Sequence, residues 1–113
     1  MMESILESIK TLLGPGADDP HFDADIIIHI NSVLQILTQV GVGPEDGFTI
    51  TGPEETWEDF LGEENAKKLS AVKTYMYLKV KMIFDPPTSS AVIDSYNRLI
   101  DQFEWRLNVH VDK

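Results

Sequence analysis

Apolar residues recur along this chain mostly at helical spacing. Between Ser4 and Leu13, the residues Ile5, Leu6, Ile9, Leu12 and Leu13 predict a first amphipathic helix. Gly14-Pro15-Gly16 stops it, because proline cannot continue a helix and glycine tolerates the backbone of a helix end. After an acidic turn over 17–20, a second helix is predicted from Phe22 or Asp23 to Val40. Asp23 and Asp25 suit its first turn, where carboxylates meet free amides and the positive end of the helix dipole. Ile26, Ile30, Val33, Leu37 and Val40 form one stripe, which Ile27, Ile28, Leu34 and Ile36 widen past half the circumference. A surface helix needs an apolar arc of only about 100°. This helix is therefore either central in the monomer or shared with a neighbouring subunit.

Gly41 ends that helix, and Gly43-Pro44-Glu45-Asp46-Gly47 reads as a turn. Phe48-Thr49-Ile50-Thr51 alternates apolar and polar, the period of a short strand. Four residues make no stable sheet alone, so a partner is expected from elsewhere in the chain or from another subunit. Thr56 to Leu61 predicts one or two helical turns with Trp57, Phe60 and Leu61 as an apolar anchor, closed by Gly62. A further helix is expected over 66–84, with Leu69, Val72, Met76, Val80 and Ile83 on one face and Tyr75, Leu78 and Met82 extending it. Asp85-Pro86-Pro87 breaks the chain sharply. Thr88, Ser89 or Ser90 then caps a last long helix running to about Val109, whose stripe is Val92, Tyr96, Leu99, Ile100, Phe103 and Leu107. The expected fold is mainly α, a four-helix domain over 1–113 with a short β-strand or hairpin segment near 48–51.

Composition narrows the function classes. With 113 residues, 42% of them hydrophobic and 25% charged, the chain suits one globular domain. No run approaches the ~20 apolar residues of a membrane span. The start Met-Met-Glu-Ser-Ile lacks the basic and apolar regions of a signal peptide, so nothing directs the chain out of the cytoplasm in which it is made. The absence of cysteine excludes disulfides, thiol catalysis and thiolate metal sites. Charge is split: residues 1–65 hold fourteen acids and one base, Lys10, for −13, while 66–113 hold five acids and eight bases, for +3. That balance argues against a conventional DNA-binding domain, which needs a basic footprint. It suits either plain solubility or an assembly that turns one sign of charge toward a polyanion or a cationic partner.

Candidate chemistry is sparse. His21, Asp25 and His29 lie four apart, the spacing that could hold a divalent ion on one helix face. His21, however, precedes the predicted helix start, and an exposed or capping role suits these histidines better. The acids at 18, 19, 23 and 25 lack the glycine-centred loop of a calcium site. Gly41-x-Gly43 follows no strand and has no third glycine, so it is a helix stop and not a dinucleotide fingerprint. No Gly-Lys-Ser/Thr of a phosphate loop occurs, and no histidine is placed beside a carboxylate to suggest a triad. Neither catalysis nor a cofactor is expected. The C-terminus carries more information. Trp105 is displaced by about 200° from Phe103 on the last helix, so it either faces outward beside Arg106, a composition favoured at interfaces, or packs beneath the N-terminal helix.

Several segments, taken in order, resemble a known family. They are His29-Ile30-Asn31-Ser32-Val33, Gly41-Val42-Gly43-Pro44 with Gly47-Phe48, Trp57-Glu58-Asp59-Phe60-Leu61-Gly62, the run from Val72 to Lys81, Phe84-Asp85-Pro86-Pro87 and Glu104-Trp105-Arg106-Leu107-Asn108. Their joint order and spacing are similar to the head–tail connector (head-completion adaptor) proteins of long-tailed phages and prophages of Gram-positive bacteria, over about residues 4–111. The resemblance implies a non-enzymatic virion protein at the head–tail interface, made in the host cytoplasm. It implies a subunit of a homo-oligomeric ring, usually of twelve copies, that docks beneath the portal protein and extends the DNA channel. Its partners would be the portal, the next head-closure or tail protein, and passing DNA without sequence-specific binding; no membrane is involved. The C-terminal segment of such adaptors engages the portal, which points to Trp105, Arg106, Leu107, Val109 and Val111. For contacts between subunits the over-apolar helix, the lone strand and the short helical anchor point to Ile28, Ile36, Phe48, Ile50 and Trp57. A second reading, an acidic protein-binding regulator or DNA mimic, draws only on the −13 first half.

Overall fold

The computed structural model describes residues 3–63 and 66–111, with the side chains at 66 and 108–111 outside that description. Its helices are α1 (Ile5–Leu13), α2 (Asp23–Gln39), α3 (Trp57–Leu61), α4 (Leu69–Phe84) and α5 (Ser90–Val111), joined by single 3-10 turns at Pro15–Ala17, Pro20–Phe22 and Ala66–Lys68. Four main helices and the short α3 make an all-α domain. The expected helix boundaries hold to within about two residues, except that 66–68 is a 3-10 turn leading into α4.

Local chemistry sets the ends. Ser4 caps α1 by accepting from the Glu7 amide, and Thr56 with Asp59 forms a reciprocal capping box on α3. Gly43, at φ +84°, ends the connection after α2 where the chain passes so close to Phe60 that a Cβ would fall on its ring. Residues 55–57 are pinned to the N-terminus: the Ile5 amide donates to the Glu55 carbonyl and the Trp57 amide to the Glu3 carbonyl, both at 3.1 Å.

No strand forms among the described residues. Apart from an isolated antiparallel bridge between Ser4 and Thr56, there is no β pairing. Residues 48–51 take no regular secondary structure, against the strand their alternation suggests, and Ile50 is held by a side chain. The Asn31 Nδ2 donates to the Ile50 carbonyl at 3.0 Å, and its Oδ1 accepts from the Ile50 amide at 2.8 Å. One amide group thus does locally what a neighbouring strand would do.

The centre of the domain is α4, which packs against α1, α2 and α5. Its buried residues Val72, Tyr75, Met76, Leu78 and Val80 run around the helix rather than along one stripe, the pattern of a helix enclosed by others. Ile5, Leu6 and Ile9 of α1, and Ile26, Ile30, Val33, Leu34 and Leu37 of α2, join it in one core with Trp57 and Phe60. The over-wide apolar surface of α2 is thereby largely used inside the monomer: only Ile27 and Ile36 stay half-buried and Ile28 exposed. On α5 the packed face is narrower than the expected one. Tyr96, Ile100, Phe103 and Leu107 join the core, while Val92 and Leu99 remain exposed, as does Ile83 at the end of α4.

Candidate assembly surfaces

The sequence-predicted interface residues separate into three groups. Ile50 and Trp57 are 1% and 2% exposed and belong to the monomer's own core, so neither side chain reaches a neighbour. Both were expected at a subunit contact because an apolar residue on a lone strand or short helix has no evident partner in sequence. Their partners come from far along the chain: Asn31 for Ile50, and Ser8, whose Oγ accepts from the Trp57 Nε1–H at 2.8 Å. Leu107 likewise is 3% exposed and anchors the end of α5 inward. The side chains of Val109 and Val111 lie outside the described residues. Ile28, Ile36, Phe48, Trp105 and Arg106 remain, and all but Ile36 sit on two surfaces.

The first surface is an open groove of about 690 Å³ between the outer face of α2 and the loop after it. Ile28, Asn31, Ser32, Gln35, Thr38 and Gln39 line it from the helix, and Glu45 to Thr49 line it from the loop. Ile28, 60% exposed, lies about 160° around α2 from the buried Ile30, so it points away from the core. Phe48 is half-buried and leans on Phe60, ring centroids 5.4 Å apart, which holds the loop in place. Ile36 is also half-buried but lies outside this groove. The polar part, Gln35, Gln39, Glu45 and Asp46, escaped sequence reasoning. The recurrence of polar residues at 31, 32, 35, 38 and 39 marks the outer stripe in hindsight.

The second surface is the outer side of α5. Trp105 is 68% exposed, which removes the alternative of a place beneath the N-terminal helix. Asp101, Gln102 and Arg106 surround it. Behind it, Glu104 ties α5 to α4. Its Oε2 accepts from the Tyr75 hydroxyl at 2.7 Å and faces Lys79 Nζ at 3.7 Å. Burial and this hydrogen bond together push the Tyr75 hydroxyl far above the usual tyrosine range.

Nothing in either surface resembles a reaction centre. His21 is exposed in the turn before α2, and among the described residues no group of His, Asp and Glu is placed to hold a metal ion. Nor is any helix there long and apolar enough to cross a membrane.

A family model described as phage connector protein matches residues 5–113. The chain belongs to that family. Members are structural rather than enzymatic, which implies a head–tail connector role for the chain. No curated protein and no solved structure matches the chain.

Proposed function

We propose that this connector is one subunit of a ring, of about twelve copies, seated beneath the portal of a long-tailed phage or prophage of a Gram-positive host. The ring extends the DNA channel and bridges the capsid to the next head-closure or tail protein. The observation that carries the reading is the match to the phage connector family over nearly the whole chain. Two exposed apolar side chains on separate helices, Ile28 and Trp105, support it, since a ring subunit needs both lateral and axial contacts. In this reading the α2 groove, with Ile28 and Phe48, faces a lateral neighbour, with Ile36 at its edge. The end of α5, Arg106 and the segment through Val109 and Val111, meets the portal. Passing DNA slides by without adhering, because a chain of net charge −10 offers phosphates little attraction.

Deleting residues 108–113 tests the portal contact while leaving Leu107 in the core. The truncated chain should keep its helicity and lose co-purification with the portal. A truncated chain that still docks and completes heads would sink the assignment of that end.

A further inference from the structure

The buried apolar side chains are shared unequally between the helices. Of the 21 among the described residues, all but two lie between Ile5 and Val80, and α5 supplies Ile100 and Leu107 alone. From Ser90 to Leu99 nothing is buried: Ile93 and Tyr96 are half-buried and the other side chains are exposed. α1, α2 and α4 each pack on the other two, whereas α5 packs chiefly on α4. Residues 5–84 therefore hold nearly all of the core, and α5 lies along one side of it.

The polar contacts follow the same division. Glu104 ties α5 to that body, accepting from the Tyr75 hydroxyl at 2.7 Å and facing Lys79 Nζ at 3.7 Å. At the far end of α4, Phe84 meets Phe22 edge-on, ring centroids 5.5 Å apart, so the body is pinned up to the last residue of that helix. The next five residues, Asp85 to Ser89, take no regular structure. Among the described residues their hydrogen bonds and ion pairs go to α4 and α5 alone. Asp85 bonds Lys81 through its amide and its carboxylate, and Ser89 accepts from the Val92 and Ile93 amides. Pro86 and Pro87 bar α4 and α5 from fusing into one continuous helix, so the break persists whether or not α5 is docked.

We infer that α5 is a separately opening arm, latched by Glu104, which leaves α4 at the 85–89 connection while residues 5–84 stay folded. Elements with little buried apolar contact open in their own cooperative step, at lower free energy than the whole fold. Once off α4 the arm does not persist as a helix, because helices in water draw most of their stability from the packing of an apolar face. Opening thus breaks its backbone hydrogen bonds together with its side-chain contacts. It uncovers the Tyr75 hydroxyl and frees Leu107, the deepest anchor of α5. The arm is a property of the single chain, independent of which partner meets the end of α5.

Native-state hydrogen exchange of the full-length chain in rising denaturant tests it. Amides of residues 96–107 should exchange about tenfold faster, or more, than those of 30–37 and 72–80. Their rates should also depend less on denaturant, since a local opening exposes less surface than global unfolding. Substitutions in the body separate the two processes. Asn31→Ala, or the milder Ile30→Val in the core of α2, should speed exchange of the body amides by about threefold to tenfold and leave those of α5 unchanged. Glu104→Ala removes a contact made only in the closed form. It should speed α5 by about tenfold, the loss of one hydrogen bond to a charged group, and the body by the same factor, because global unfolding breaks the latch too. Amides of α5 that share the body's denaturant slope and accelerate with it in Asn31→Ala or Ile30→Val would overturn the separate arm. Rates in α5 unmoved by Glu104→Ala would overturn the latch.

Discussion

Asn31 spends both ends of its carboxamide on the backbone of a single residue, Ile50. That residue is buried, so its amide and carbonyl have no access to water if the side chain is removed. Asn31→Ala should therefore destabilise the domain by about 1–3 kcal/mol, the cost of a buried peptide left unpaired, read as a lower denaturation midpoint with unchanged slope. A loss below a few tenths of a kcal/mol would mean that loop 48–51 is held by packing alone. The alternation of Phe48 to Thr51 suggested a strand, which does not form among the described residues. The pairing of Asn31 with Ile50 was not legible, because a hydrogen bond between residues nineteen apart leaves no periodic trace. Trp57 teaches the same lesson: its apolar character was plain, but its pairing with Ser8 across 49 positions was not. Glu55 is a local case by contrast. Burial alone would raise its carboxyl, yet hydrogen bonds from its own backbone amide, the Thr51 hydroxyl and amide and the Gly52 amide outweigh that and hold it below the usual range.

At the level of elements, existence was easier to predict than orientation. Glycine and proline punctuation placed α1, α2, α4 and α5, because these residues act through local backbone geometry. Which helix is central depended on packing. The width of the apolar surface on α2 suggested α2, yet α4 holds that place, its lysine stems lying along the edges while its apolar residues face three helices. α5 packs chiefly on α4, so a narrow stripe suffices and Val92 and Leu99 of the expected stripe stay exposed. That α4–α5 contact should be sensitive to alkali. Burial foremost, then hydrogen bonding to Glu104, raises Tyr75, and burial with a bond to Tyr96 raises Tyr77. The ion pair with Asp23 outweighs burial and raises Lys10 above its ordinary 10.5. Groups whose pKa is higher folded than unfolded stabilise the fold fully below the unfolded value and lose that contribution as pH rises toward the folded one. Stability should thus fall above about pH 10, where the unfolded tyrosines begin to ionise. Tyr75→Phe should lower stability at neutral pH and flatten the alkaline decline. An unaltered decline would remove Tyr75 as its source.

For the whole molecule, the division of charge between the two halves of the sequence survives folding in a specific form. Lys73, Lys79 and Lys81 of the second half are paired inside the monomer, while Lys67, Lys68, Arg98 and Arg106 make no ion pair among the described residues. The connector role itself was legible only through the order of several short segments, none of which has a chemistry of its own. The central position of α4 has one more consequence. α2 and α5 both pack on α4 and barely on each other, so α4 is the element that would carry a shift at the groove to the end of α5. If α4 shifts when a lateral neighbour arrives, affinity for the axial partner changes by a fixed factor, and axial binding changes lateral affinity by the same factor. A subunit wired in this way would report to one partner that the other is in place.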